Sequence, residues 1–241
     1  MEVVLGFVIA VAIALTGVGA GSLTTPMLIL VLGLGATESV GTALIFGAVV
    51  KLITAPLYWM RGQVSLPVLG RLLAGGLPGV LVGSLLLQGL QRGAMMAVLG
   101  FTIMLIALIN LVRFTPKPRR DRTRWLPAVA FPIGAEVGFS SAGSGALGAL
   151  ALMSLTPLEA GAVVGTDLMF GLALSLVGGG IHAALGSFNT AVLVKLVAGG
   201  VVGAMTGAAL ASRVPARKLR FALLVVMAIL GAQLGWKGLF Q

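Results

Sequence analysis

The sequence predicts an all-α, polytopic integral membrane protein made of two inverted-topology repeats. Of its 241 residues, 59% are apolar and only 9% are charged, and the mean hydropathy is +1.13. No water-soluble domain of this size has such a composition. The apolar segments are numerous and evenly spread, which indicates membrane spans rather than a single cleaved leader. The chain also matches itself at an offset of 124 residues.

This internal match defines the domain organisation. Thr16 to Leu86 aligns without a gap to Ser140 to Leu210, and 23 of the 71 positions are identical. Chance would give roughly one identity in ten for this Gly/Ala/Leu/Val-rich composition. We therefore predict a first membrane repeat over 1–112, a basic linker over 113–125 and a second membrane repeat over 126–241.

Each repeat begins with two apolar pieces that are too short to span a bilayer, because one spanning helix needs about 20 residues. A Gly/Ser loop separates the two pieces, so we interpret each pair as a broken or re-entrant helical hairpin with its tip near the middle of the membrane. Three longer segments follow in each repeat. The segments of the first repeat are Val3 to Leu15, Leu23 to Leu34, Val40 to Met60, Leu66 to Leu87 and Ala94 to Val112. Those of the second are Leu126 to Phe139, Ala146 to Leu155, Ala160 to Ala184, Thr190 to Ala211 and Leu219 to Gly235.

The basic residues predict the orientation. The net charge is +10, but the charge is concentrated in short loops and no basic residues alternate with aromatic ones, so nucleic acid is not an expected partner. With the linker 113–125 in the cytoplasm, Arg61 and the cluster 213–220 also face inward, and both termini lie outside. This orientation of the basic loops requires that the two repeats be inverted relative to each other. If each short pair made a single crossing, the repeats would be parallel and the cluster 213–220 would face outward.

The Gly/Ser tips are candidate anion sites. A helix that starts at such a loop presents free backbone N–H groups and a partial positive charge. Serine and threonine hydroxyls at the tips add donors, although these residues are equally suited to tight turns. The candidate substrate-binding residues are Thr16, Gly19, Gly21, Thr42, Lys51, Ser140, Ser141, Gly143, Ser144, Gly145 and Thr166.

Ionisable residues inside the predicted spans complete the candidate site. Lys51 lies near the centre of a span, where it could attract an anion or neutralise an acid. Asp167 and Glu136 are candidates for proton coupling, and Asp167 could instead pair with Lys51 or cap a helix. Glu136 precedes Ser140 by one helical turn. His182 could titrate near neutral pH, although its place near a helix end equally fits an interfacial residue.

Several motifs, taken in order, resemble the sulfite exporter TauE/SafE family. They are LTGVGAGSLTTPML from Leu15, RGQV at Arg61, AGGLPGVLVG at Ala74, SSAGSGALG at Ser140 and GGGIHAALGSFN. The resemblance implies transport of a small sulfur-containing anion, such as sulfite or an organosulfonate, across the bacterial cytoplasmic (inner) membrane. The first loop departs from the family pattern, with Ala20 between Gly19 and Gly21 where three glycines are common. Ala43 aligns with Asp167 in the internal match, so the two halves differ chemically at this position.

The sequence therefore predicts a secondary transporter that works by alternating access, with a small anion and the lipid bilayer as partners and protons as a candidate co-ion. It does not specify the oligomeric state. An anion channel is the alternative. An intramembrane enzyme is a weaker one, because the sequence has no HExxH motif, no cysteine and one histidine. We expect no enzymatic activity, no metal and no cofactor.

Overall fold

The computed structural model describes residues 1–16, 19–89, 92–112, 121–210 and 216–240. Within these residues each predicted apolar segment forms one α-helix, and a short 3₁₀ turn covers Thr123–Trp125. The helices are α1 (Glu2–Thr16), α2 (Ala20–Leu30), α3 (Ala36–Met60), α4 (Leu66–Gln88), α5 (Arg92–Val112), α6 (Leu126–Ser140), α7 (Leu147–Leu155), α8 (Ala160–Ala184), α9 (Thr190–Leu210) and α10 (Ala216–Leu239).

Six of the described helices are long and apolar enough to cross a membrane, namely α3, α4, α5, α8, α9 and α10. The remaining α-helices are α1, α2, α6 and α7, which have 15, 11, 15 and 9 residues. At 1.5 Å per residue even the longest of these covers roughly 22 Å, which is less than the hydrocarbon thickness of about 30 Å. The predicted all-α, polytopic membrane fold is confirmed.

Contacts recur between the halves at the same offset as the sequence match. Gly76 packs against the ring of Phe170, and Gly200, its counterpart 124 residues later, packs against Phe46, the counterpart of Phe170. A Cβ atom at either glycine would overlap the ring edge. The two halves therefore exchange equivalent contacts at this pair of positions.

Small residues at every fourth position hold two helix pairs together. Helix α4 packs against α6, and α9 packs against α1. The close contacts are made by Gly75, Gly79 and Gly83 on α4 and by Gly199, Gly203 and Gly207 on α9, where an added Cβ would overlap the neighbouring helix. This is the close packing that such spacing predicts for membrane helices.

Helices α3 and α8 lie at the centre and are the most buried of the candidate spans. They run antiparallel, because Gly41 lies beside Ser187 at one end and Gly165 lies beside Gln63 at the other. Helices α5 and α10 are also antiparallel, with Gly231 against Met104 and Gly238 against Ala97. In both pairs the partners are equivalent elements of the two halves.

The helix ends define two faces of the molecule. On the first face, Lys195 of α9 contacts Glu2 of α1 at 3.3 Å and the Asn189 amide donates to Glu38 of α3 at 2.8 Å. Residues 31–35 connect the end of α2 to the start of α3, which lies on this face. Helix α1 therefore begins, and α2 ends, on the first face.

The second short pair begins and ends on the other face. The backbone N–H of Arg122, before α6, donates to the carbonyl of Leu155 at the end of α7, at 2.9 Å. Ser65, before α4, binds Thr166 near the start of α8 on this second face. The helices of the first short pair therefore begin and end on the first face, and those of the second short pair begin and end on the other face.

Candidate functional site

The site is centred on Lys51, whose side chain is 4% exposed in the middle of α3. Its ammonium donates three hydrogen bonds, to the Ser144 hydroxyl at 3.1 Å, the Gly171 carbonyl at 3.1 Å and the Ser175 hydroxyl at 3.0 Å. Ser144 belongs to the loop between α6 and α7, and the other two residues belong to α8. One cation of the first half is thus bound entirely by the second half.

Helix α8 presents a polar stripe to this cation. Asp167, Gly171 and Ser175 are spaced by four residues, so they share one face of the helix. Asp167 is 3% exposed, lies against Gly148 at the start of α7 and interacts electrostatically with Lys51. The buried carboxylate of Asp167 therefore lies one helical turn from Gly171, whose carbonyl binds the ammonium of Lys51.

The described residues of the first Gly/Ser tip (16–21) contact the second tip (140–145) beside Lys51. Gly19 lies directly against the carbonyl of Ser144, and Gly21 lies against Ser141, with no room for a Cβ atom at either glycine. The hydroxyls of Thr25 and Ser141 are 2.5 Å apart, which joins the middle of α2 to the second tip. The structure thus brings together Gly19, Gly21, Ser141 and Ser144 of the predicted set.

The second tip has a backbone that glycine makes possible. Ser141 ends α6 with φ +61°, and Gly143 and Gly145 have φ values of +100° and +91°. Residues with a Cβ rarely adopt such angles. The loop turns sharply, the hydroxyl of Ser140 accepts a bond from the Ala142 N–H at 3.1 Å, and α7 begins within a few residues of Ser144.

Comparison with known proteins identifies the family. The family model described as "Sulfite exporter TauE/SafE" matches residues 3–234, nearly the whole chain. The chain belongs to the sulfite exporter TauE/SafE family. The curated "Probable membrane transporter protein YjnA" of Bacillus subtilis (strain 168) is 29% identical over 249 residues, covering 96% of this chain and 98% of that protein. No solved structure gives a significant match. The predicted resemblance is confirmed, and the chain is a multi-pass membrane transporter of this family.

In this TauE/SafE chain, Glu136 contacts the second tip at Ser140, whereas Lys51 contacts it at Ser144. Its carboxylate accepts a hydrogen bond from Ser140 at 2.6 Å, which agrees with the one-turn spacing in the sequence. It also lines a mainly apolar groove of about 420 Å³ between α5, α6 and α7. Glu136 is therefore connected to the tip through Ser140 but does not contact the ammonium.

Thr42 and Thr166, two of the candidate substrate-binding residues, are not among the hydrogen-bond partners of Lys51. The Thr42 hydroxyl accepts a bond from the Asn189 N–H at 2.9 Å, before α9. The Thr166 hydroxyl accepts the equivalent bond from the Ser65 N–H at 3.0 Å, before α4. Each threonine thus satisfies a backbone donor at the entry to a helix of the other half.

His182 is fully buried, in contrast to the interfacial position considered from the sequence. Its counterpart in the first half is Tyr58, which is partly exposed beside a cavity of about 30 Å³. Arg61 and Thr54 also line this cavity, and Thr54 is one turn from Lys51 on α3. Tyr58 thus borders a small cavity, whereas its counterpart His182 is packed on all sides.

Sequence reasoning missed Ser175, Gly171 and Thr25. A signal for Ser175 was present, because the offset of 124 residues aligns it with Lys51. The side chain of Thr16, the residues 113–120 of the linker and the side chains of the cluster 213–220 fall outside what the structure describes. Among the described residues no group of three or more His, Cys, Asp or Glu side chains could hold a metal ion.

Proposed function

We propose that this protein is a secondary transporter that moves a small sulfur-containing anion, such as sulfite or an organosulfonate, by alternating access. The observation that carries the proposal is the buried ammonium of Lys51, held where both tips and both central helices meet. A cation at this depth is costly, and intramembrane charges of this kind usually mark a transport pathway.

The surroundings of Lys51 suit a small oxoanion. The Ser144 hydroxyl lies 3.1 Å from the ammonium, and the hydroxyls of Ser141 and Thr25 lie where the two tips meet. The N-terminal end of α7 adds a partial positive charge close to Ser144. The nearby carboxylate of Asp167 balances Lys51 when no anion is present, so an incoming anion would enter a site of low net charge.

Alternating access follows if the halves are inverted repeats. Two features support inversion: equivalent helices pack antiparallel, and the tips approach from opposite faces. A pseudo-two-fold axis perpendicular to the central helices accounts for both features. A site at the interface of such repeats is exposed alternately as one half rocks against the other.

We further propose that the second face is cytoplasmic and that the membrane is the bacterial inner membrane. Arg61 lies on the second face, and the basic linker and the cluster 213–220 connect helices that end and begin there. This arrangement agrees with the excess of basic residues that cytoplasmic loops carry. Both termini would then be outside.

The membrane potential links direction to coupling. An inside-negative potential favours outward movement of an anion by about 2.3 kcal/mol per charge per 100 mV. Export would therefore need no co-ion, whereas import would need one. Asp167, Glu136 and His182 remain the proton candidates for import.

The test is uptake of labelled sulfite, thiosulfate, sulfate and a simple sulfonate into proteoliposomes under an imposed pH gradient or potential. We expect saturable uptake of at least one anion, acceleration by unlabelled anion on the opposite side, and loss of both with Lys51→Ala. Ser84→Ala, another buried polar change, is the matched control. Uptake without counterflow would favour a channel, and no uptake of any of the four by correctly inserted protein would reject the sulfur-anion assignment.

A further inference from the structure

The hydrogen-bonding capacity of Lys51 is fully used in this structure. An ammonium carries three N–H donors. The three acceptors are the Ser144 hydroxyl, the Gly171 carbonyl and the Ser175 hydroxyl, at 3.1, 3.1 and 3.0 Å. An anion that binds Lys51 directly must therefore replace at least one of these bonds.

The three acceptors are not equally replaceable. The Gly171 carbonyl is fixed in the backbone of α8, so it cannot turn away. Ser144 lies in the tip and its hydroxyl can rotate to donate to an anion while it stays beside Lys51. Ser175 lies on α8 and is 3% exposed. Its hydroxyl accepts the third N–H of the ammonium.

We infer that Ser175 competes with the transported anion for Lys51 and thereby sets the affinity of the site. This inference rests on the proposed function. In the empty protein the Ser175 hydroxyl occupies the third donor of Lys51, and in the loaded protein an oxygen of the anion takes its place. Ser175 thus lowers the affinity to a level that allows release, because the empty site is already satisfied.

Removal of the Ser175 hydroxyl is expected to strengthen anion binding. Ser175→Ala leaves one N–H of Lys51 without an acceptor in the empty protein, and it vacates the space that the hydroxyl filled. The anion then restores the missing bond, so binding becomes tighter. Because a hydrogen bond to a charged group is the stronger kind, we expect a half-saturation concentration about tenfold below that of the parent.

The experiment measures anion binding to the detergent-solubilised full chain by titration calorimetry, and uptake by proteoliposomes, with the anion that the parent transports best. Ser175→Ala is expected to lower both the dissociation constant and the half-saturation concentration about tenfold. Ser175→Thr retains the hydroxyl and is expected to resemble the parent. Ser84→Ala is the control, since Ser84 is buried on α4 and Ala208 occupies the same position in the second half.

Two results would overturn the inference. Weaker binding by Ser175→Ala would show that Ser175 is a direct ligand of the anion, and unchanged binding would show that it is a bystander. If Ser175→Ala does not fold, Ser175→Cys has nearly the same size with a weak acceptor and is expected to tighten binding as well. This inference alone fails under three joint results: the parent binds the anion, Lys51→Ala abolishes binding, and Ser175→Ala has no effect. The proposed function then stands. If the parent binds none of the four anions, both fail.

Discussion

The ammonium of Lys51 donates a 3.0 Å hydrogen bond to the hydroxyl of Ser175, and the two residues occupy equivalent positions in the two halves, 124 residues apart. The buried ammonium of the first half therefore binds the residue that aligns with it in the second half. The two halves share glycines at many equivalent positions, whereas only the first half has a charge at this position.

This relationship can be tested by moving the charge. Ser175→Lys alone places a second ammonium beside Lys51, and we expect it to destabilise the fold by about 3 kcal/mol or more, because a buried charge is left uncompensated. Lys51→Ser combined with Ser175→Lys moves the cation to the equivalent place, where the Gly47 carbonyl corresponds to that of Gly171. Ala20 replaces Ser144 there, so one acceptor is missing.

The double variant should therefore have a melting temperature in detergent between those of the parent and the single variant. Lys51→Ser alone serves as the reference for loss of the charge. A double variant that melts below Ser175→Lys would contradict the equivalence of the two positions.

The glycine stripe on α4 gives a prediction about stability. A Cβ at Gly75 would overlap the Pro127 carbonyl of α6, whereas the space around Gly70 on the same helix is open. Gly75→Ala should cost about 1–3 kcal/mol, because α4 and α6 must separate. Gly70→Ala should be neutral or stabilising, since alanine favours helix. Thermal unfolding of the two variants in the same detergent checks the difference, and equal melting temperatures would show that the close approach is not needed.

Much of the fold could be predicted from the sequence, because apolar run length and the repeat determine where membrane helices lie. The site was predicted less completely. Lys51 stood out since a charge inside a span is rare, but a serine such as Ser175 is ordinary in a small-residue helix. The partner of Thr42 could not be predicted, because Asn189 is 147 residues away and becomes its neighbour only when the halves pack.

Topology can be tested directly, because the chain contains no cysteine. Arg61 and Leu185 are equivalent and exposed positions at the ends of α3 and α8. With a membrane-impermeant maleimide on intact cells, Leu185→Cys should react and Arg61→Cys should react only after permeabilisation. The unmodified chain is the blank. Reaction of both variants from the same side would rule out inverted repeats.

Glu136 is a candidate for proton coupling that can be separated from its contact with Ser140. Glu136→Gln keeps an acceptor for the Ser140 hydroxyl but removes the titratable group. If Glu136 carries the proton, exchange of anion for anion should persist, and stimulation by a pH gradient should fall at least several-fold. Glu159→Gln, which changes an exposed carboxylate before α8, is the control. Undiminished stimulation in Glu136→Gln would leave Asp167 and His182 as candidates.

Tyr58 and His182 occupy equivalent sequence positions at the ends of α3 and α8, and they test the proposed alternating access. Tyr58 borders a cavity of about 30 Å³, whereas His182, its counterpart, is fully buried. In the absence of anion, Tyr58→Cys should be labelled from the second face and His182→Cys should resist labelling from the first. Leu185→Cys, exposed one turn from His182, shows that the reagent reaches that face.

Saturating amounts of the transported anion should then raise the labelling rate of His182→Cys and lower that of Tyr58→Cys, since alternating access opens one end as it closes the other. Equal and anion-independent labelling of the two positions would mean that both ends are open together, which is the behaviour of a channel rather than a carrier.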